Sequence, residues 1–157
     1  SFINTKEEIE IESTYSEEKF DLVFVELAKT LRTISEWLPN NGAFVLHSAC
    51  FDVDGEGVAF AAHSGTGKTT HMRLWQGLLG DKMVVVNGDK PIVRFFEDEP
   101  NVPYAYGTPW NGKERLGCNM RTPVKHICFI ERSETNYVEK ITLSNILLTV
   151  TKFPKKC

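Results

Sequence analysis

The sequence predicts an α/β fold with a mixed, antiparallel-leaning sheet and one main helix directly after a glycine-rich loop. Three observations predict it. Apolar residues recur at three- and four-residue steps over residues 16–38, which is typical of a helix. Short apolar runs separated by turn residues begin at Gly42, and a strand, a glycine-rich loop and a helix follow one another over residues 57–79. The 157 residues suit a single domain, in which residues 1–41 contribute a strand and a helix that pack on a core of residues 42–157.

The N-terminal region is predicted to contain an edge strand and then the helix. Isoleucine and glutamate alternate over residues 9–12, as in a strand with one buried face. Ser16 is a suitable N-cap for the helix, because its hydroxyl can accept a hydrogen bond from an amide of the first turn. Pro39 and Gly42 are expected to end this helix.

Strands predominate after Gly42. Residues 43–51 and 57–62 are predicted to form a hairpin, since Asp54 and Gly55 make a strong two-residue turn signal. Further strands are predicted at residues 83–86, 91–96 and 124–131, the last of them buried, and a helix at residues 68–79. Residues 97–123 are rich in Pro, Gly and Asn and predict a loop with short strands, whereas residues 143–150 predict either a helix or a strand.

Composition excludes several classes of protein. The formal net charge is −3, and the only basic cluster is at residues 152–156, so we expect no nucleic-acid partner. The apolar runs are far too short to span a bilayer, and we expect no membrane association. The four cysteines lack the spacing of a metal site, which favours reduced thiols and a cytoplasmic protein.

The strongest functional signal is the segment of residues 57–70. A run of small and apolar residues leads into a loop and helix start made of Ser64, Gly65, Thr66, Gly67, Lys68, Thr69 and Thr70. Glycines let backbone N–H groups turn inward around a phosphate, and the N-terminus of the following helix is positive. We therefore expect bound ATP or GTP, with Lys68 on the β- and γ-phosphates and the Thr69 hydroxyl on Mg²⁺. The plain alternative is a glycine turn before an amphipathic helix, and the first glycine of the usual GxxxxGK[ST] pattern is Ala62 here.

This segment, with the hairpin sequence VLHSACFDVDGEGVAF before it, resembles the catalytic domain of the HPr kinase/phosphorylase family. Its loop is also similar to that of ATP-dependent phosphoenolpyruvate carboxykinase. The resemblance covers residues 42–89, about a third of the chain, and the later segments YAYGTPWNGKE and VKHICFIER are similar to a branch of HPr-kinase-like proteins. It implies a P-loop fold of that type, a homo-oligomer, and transfer of the γ-phosphoryl group of ATP to a protein serine or to a small-molecule hydroxyl.

The resemblance also implies roles for individual residues. Asp89 would take the proton from the attacking hydroxyl or hold Mg²⁺ with Thr69, and His47 would tune the protonation of Asp89. The catalytic residues would then be Asp89, His47 and Lys68. Asp89 follows an apolar strand, at the end of a sheet where α/β sites form. The residues themselves also allow a plain turn at Asp89 and a core position for His47. The family's acidic pair is reduced here to Gly88 and Asp89, which leaves the metal site one carboxylate short.

The segment of residues 106–114 is a candidate substrate-gripping loop. Trp110 could cover the site, Lys113 could neutralise phosphate charge, and Glu114 could supply a second metal carboxylate. A loop that is only pinned by the packing of Trp110 is the equal alternative.

Together these features predict an ATP-dependent kinase whose partners are the nucleotide and an unidentified hydroxyl acceptor. A nucleotide-binding regulatory module or slow NTPase without an acceptor site stays open. So does a carboxykinase-like enzyme, although no oxaloacetate-binding set is recognisable in the sequence.

Overall fold

A computed structural model of the chain describes residues 22–141, which form a mixed α/β domain with a seven-stranded mixed sheet and two α-helices. The predicted strand at residues 9–12, the Ser16 cap and the element at residues 143–150 lie outside the described residues. Helix α1 spans Leu22–Trp37 and helix α2 spans Lys68–Leu79, and a short 3₁₀ turn follows each of them at Leu38–Asn41 and Gly80–Lys82. The strands are β1 (Ala43–Val45), β2 (Ser48–Val53), β3 (Glu56–Ala61), β4 (Met83–Asn87), β5 (Ile92–Arg94), β6 (Tyr104–Tyr106) and β7 (Arg121–Phe129).

The strand order across the sheet is β1-β5-β6-β7-β3-β2-β4. Every neighbouring pair is antiparallel except β3 and β7, which are parallel. The predicted mixed, antiparallel-leaning sheet is therefore confirmed. Because β2 is antiparallel to both of its neighbours, β3 and β4 run in the same direction and end at the same edge of the sheet.

The predicted turn at Asp54 and Gly55 joins β2 to β3. Both residues have positive φ, +52° and +87°, and the flanking residues Val53 and Glu56 are paired. This is the backbone conformation that a two-residue hairpin requires, and the sequence pair is the one that adopts it most readily. The side chain of Asp52 adds a hydrogen bond from the Gly55 amide at 3.0 Å.

Two strand predictions are corrected. Residues 43–51 are not one strand, because the chain changes partners: Val45 pairs with β5, while Ser48 pairs with β3. His47 lies in the two-residue break between β1 and β2 and not within a strand. Strand β7 begins at Arg121 and ends at Phe129, and its second half is exposed, whereas a buried strand was predicted at residues 124–131. The reason is that β6 covers only the first three residues of β7.

The core has two parts, one on each face of β2, since successive side chains of a strand point to opposite faces. One part packs α2 against the sheet, and its buried residues are Ala49, Phe51, Phe60, Met72 and Met83. The other lies on the opposite face and includes residues of β4, β5 and β6, so the sheet curls around it; its buried residues are Cys50, Ala59, Val86, Val93, Ala105 and Val124. No helix within residues 22–141 is long and apolar enough to cross a membrane.

Candidate functional site

Three of the predicted site segments meet at one edge of the sheet. Strand β3 runs into the glycine-rich loop, β4 runs into Asp89, and His47 immediately precedes β2. The C-terminal ends of β3 and β4 lie beside the N-terminal end of β2, because β2 is antiparallel to both. Ser48 N donates to Asp89 O at 2.9 Å, which fixes His47 next to the acid.

The glycine loop, residues 64–67, presents backbone amides at the start of α2. Gly65 and Gly67 have φ of +78° and +121°, values that side chains disfavour, and no other atom occupies the space where a Cβ would stand. Gly67 caps α2 without any side-chain hydrogen bond. The first N–H groups of a helix have no acceptor within the helix, so the N-terminus of α2 offers both amides and a positive end to an anion.

Lys68 is buried beneath this loop. Its Nζ donates to Ala62 O at 2.9 Å and to His63 O at 3.3 Å. Burial lowers the pKa of the Lys68 ammonium, and the negative charge of Asp89 opposes that shift. The ammonium and the carboxylate therefore share one electrostatic environment.

Asp89 is hydrogen-bonded on both carboxylate oxygens. His47 Nε2 lies 3.1 Å from Oδ1, and Lys90 Nζ donates to Oδ2 at 2.5 Å. Burial raises the pKa of Asp89, but the hydrogen bonds from His47 and Lys90 outweigh it and lower the pKa to about 2. Asp89 is thus a carboxylate throughout the neutral range.

The site loop, which we define as residues 107–118, packs beside Asp89 and belongs to the same wall of the site. It lies so close to the end of β4 that a Cβ on Gly88 would stand 2.9 Å from Asn111 O, and a Cβ on Gly112 3.0 Å from Asp89 Cβ. Gly88 N donates to Leu116 O at 2.9 Å, and Asn87 pairs with Gly117 as an isolated bridge. The site loop is therefore held directly against Asp89.

The three side chains of the site loop that were proposed to act in the site have different partners in the structure. Trp110 Nε1 donates to Leu27 O of α1 at 2.8 Å, so its indole N–H is directed at α1. Glu114 forms an ion pair with Arg73 of α2. Both Lys113 and Glu114 line the cavity, together with Asn111 and Gly112.

These walls enclose a cavity of about 400 Å³, within the ~300–1,000 Å³ typical of small-molecule sites. The predicted residues that line it are His47, Ser64, Gly65, Gly67, Lys68, Thr69, Thr70, Asp89, Lys113 and Glu114. Thr66 does not, and its amide donates to His63 O at 3.2 Å within the loop.

Two further residues complete the site and were not predicted. Arg132, just beyond β7, donates from Nη2 to Gly65 O at 2.7 Å. Asn87, the last residue of β4, is fully buried and bonds the turn that carries Asp89. Arg132 reaches the glycine loop only because β7 lies parallel to β3, and nothing in the local sequence signals that pairing.

The chemistry of these donors fits a phosphate group and Mg²⁺. An uncapped helix N-terminus with a buried ammonium suits a phosphate, and the hydroxyl of Thr69 and the carboxylate of Asp89 are the oxygen ligands that Mg²⁺ takes. Among residues 22–141, no group of three or more His, Cys, Asp or Glu side chains is placed to hold a metal ion. Mg²⁺ commonly uses one or two carboxylates together with the oxygens of a bound phosphate.

Compared with known proteins, the chain matches no protein-family model, and no curated protein matches it significantly. The functional proposal therefore depends on the geometry of the site.

Proposed function

We propose that the chain is a nucleotide-dependent phosphotransferase that moves the γ-phosphoryl group of ATP to a hydroxyl acceptor, a protein serine or a small molecule. The fold would then be a P-loop domain of the HPr kinase type. The observation that carries the proposal is one cavity with two complementary walls: the glycine loop and α2 on one side, Asp89 and His47 on the other. Phosphoryl transfer depends mainly on positioning donor and acceptor and on neutralising charge, which these walls are suited to do.

The donor wall would bind the nucleotide. The amides of the glycine loop and the N-terminus of α2 would hold the phosphates, and Lys68 would turn its ammonium from the carbonyls of Ala62 and His63 to a phosphate oxygen. Thr69 and Asp89 would hold Mg²⁺, which would neutralise the charge of the phosphates.

The acceptor wall would orient the hydroxyl. With its pKa held at about 2, Asp89 is a weak base, but it is always ionised and can accept the hydrogen bond of the attacking hydroxyl. Early proton removal is not required when the transition state is loose. His47, at 3.1 Å, keeps the carboxylate oriented and charged.

The same low pKa favours a second candidate, a nucleotide-binding regulator or slow NTPase. Such a protein does not need Asp89 as a proton acceptor. Asp89 would then only bind the metal and hold the turn after β4. The two functions differ in what Asp89→Asn does to phosphoryl transfer.

The test is transfer of labelled phosphate from [γ-³²P]ATP with Mg²⁺ to proteins and small molecules of a cell extract. Wild type, Lys68→Ala and Asp89→Asn are compared with the matched controls Lys82→Ala and Asp81→Asn, which are exposed at the other end of β4. The proposal expects a labelled acceptor with wild type and both controls. It expects loss of labelling with Lys68→Ala and Asp89→Asn, the latter still binding nucleotide.

Two results would overturn the kinase proposal. Wild type that binds nucleotide and labels nothing would favour the regulator. Labelling that survives Asp89→Asn unchanged would remove Asp89 from the reaction.

A further inference from the structure

Asn87 is a buried amide whose hydrogen-bonding capacity is fully used. Its Oδ1 accepts from the amides of Asp89 at 2.9 Å and Lys90 at 2.7 Å. Its Nδ2 donates to both O and Oγ1 of Thr108, at 3.1 and 2.9 Å. A primary amide has two donor hydrogens and two acceptor lone pairs, so all four are satisfied here.

This bonding fixes the turn that presents Asp89. The two amides that Asn87 accepts belong to the acid and to the lysine paired with it, and Asp89 O is held from the other side by Ser48 N at 2.9 Å. The backbone on both sides of the carboxylate is therefore bonded, and its direction into the cavity is set by the turn.

The same amide fixes the site loop. Thr108 belongs to that loop, and its hydroxyl donates onward to Lys90 O at 2.8 Å. Lys90 N also donates to Trp110 O at 3.1 Å. Asn87 is thus hydrogen-bonded both to the acid turn and to the loop whose residues 111–114 and 116 line the cavity.

We propose that Asn87 is a positioning residue of the phosphotransfer site, which holds the carboxylate of Asp89 and the site loop in one fixed relation. The inference rests on the proposed function, because the reaction gives the direction of Asp89 its importance. Aspartate cannot replace Asn87, since a carboxylate accepts only and would face the oxygens of Thr108 without a proton to donate.

The first test is Asn87→Ala. Because a small misplacement of a reacting group can lower a rate by about 10²-fold, we expect kcat for phosphoryl transfer to fall ~30- to 100-fold. The affinity for ATP without Mg²⁺ should stay within ~3-fold, since the phosphate loop joins β3 to α2 whereas Asn87 ends β4. A residue that only stabilised the fold would leave kcat per folded molecule unchanged at temperatures well below unfolding.

Thr108 supplies a milder pair of variants in case Asn87→Ala does not fold. Thr108→Val removes the hydroxyl but keeps the shape, and it should lower kcat about 10-fold, close to the value of one or two hydrogen bonds. Thr108→Ser keeps the hydroxyl and should restore kcat to within ~2-fold of wild type. Equal activity of Thr108→Val and Thr108→Ser would contradict the proposal.

A third readout does not depend on the reaction. Hydrogen exchange of the Asp89 and Lys90 amides, followed by NMR, reports the two bonds that Asn87 Oδ1 accepts. Asn87→Ala should speed the exchange of both amides about 10-fold or more, and Thr108→Val should speed it less, because Asn87 then loses only one of its partners. Unchanged exchange of both amides in both variants would overturn the positioning role. If wild type shows no phosphoryl transfer, the proposed function fails, while this exchange still decides whether Asn87 holds the turn of Asp89.

Discussion

The two walls of the cavity are built in different ways. The phosphate loop is held by hydrogen bonds between residues that are close in sequence. Lys68 donates to the carbonyl of Ala62, six residues away, and the Thr66 amide donates to the carbonyl of His63. The wall of Asp89 depends on distant segments: the loop residue Thr108 is 21 residues from Asn87, and His47 comes from the start of β2. The first wall is therefore a local motif, whereas the second exists only when the sheet and the site loop are folded together. Substitutions in the phosphate-loop wall should weaken the binding of ATP itself, whereas substitutions in the wall of Asp89 should lower turnover and the gain in ATP affinity from Mg²⁺.

The largest effect is expected at the centre of the local wall. Lys68→Met keeps an apolar stem but removes the buried ammonium, and it should lower kcat/KM by about 10²- to 10³-fold, as loss of one charge-stabilising donor does. Steady-state kinetics with Mg²⁺·ATP measures it. Lys82→Met, at an exposed lysine before β4, is the control and should keep wild-type kinetics. Equal kinetics for the two variants would remove Lys68 from the phosphate site.

The glycines of the two walls should respond differently to alanine. A Cβ at Gly107 would clash with Cys118 O, so the site loop must move, and Gly107→Ala should lower the free energy of unfolding by about 3 kcal/mol. At Gly65 a Cβ would meet open space, but φ is positive. Gly65→Ala should therefore lower the free energy of unfolding by about 1 kcal/mol and weaken nucleotide binding. Urea unfolding compares the two. A larger loss of stability for Gly65→Ala would contradict the packing of the site loop.

Asp89 should make stability depend on pH. Its folded pKa of about 2 is below the ordinary value of 3.8, so the ionised group stabilises the fold above pH 4, and this contribution is lost as the pH falls from about 4 to about 2. After screening by solvent we expect Asp89→Asn to lower the free energy of unfolding by roughly 1–2 kcal/mol at pH 7. The difference from wild type should shrink toward zero near pH 2. A difference that is constant from pH 7 to pH 3 and below would contradict the bonding of Asp89 to His47 and Lys90, with Asp81→Asn as the control.

The smallest effect is expected at Arg132. Its bond to Gly65 O lies at the surface, so Arg132→Ala should weaken Mg²⁺·ATP binding by about 3- to 10-fold, the value of one ordinary hydrogen bond. Arg132→Lys keeps a donor and a charge and should recover most of this loss. Fluorescence titration with a labelled nucleotide measures both variants, and unchanged binding by Arg132→Ala would show that the contact does not order the loop.

The parts predicted well from the sequence are those fixed by local chemistry. The Asp54-Gly55 hairpin turn is present, and α2 spans the predicted residues 68–79. Both features depend on the types of a few residues that are adjacent in sequence. The predicted nucleotide and its chemistry stay predictions.

The parts missed are those that depend on which strands become neighbours. Residues 43–51 are apolar except for His47 and Ser48, and the chain changes partners from β5 to β3 at this polar pair. Two polar residues within an apolar run do not by themselves tell a break from a strand that continues. For the same reason, the contacts of Arg132 with Gly65 and of Asn87 with Thr108 could not be predicted. The sequence left open whether Trp110 covers the site or pins its loop, because the hydrogen bond from its indole N–H is to α1, which is distant in sequence.

The most direct test of a single site with two walls is the affinity for ATP with and without Mg²⁺, measured by calorimetry. The proposal predicts that wild type binds ATP more tightly with Mg²⁺, that Asp89→Asn keeps the metal-free affinity but loses the gain from Mg²⁺, and that Lys68→Met loses affinity in both conditions. If Asp89→Asn keeps the full gain from Mg²⁺, or if wild type binds no ATP in either condition, the glycine loop and Asp89 do not form one phosphotransfer site.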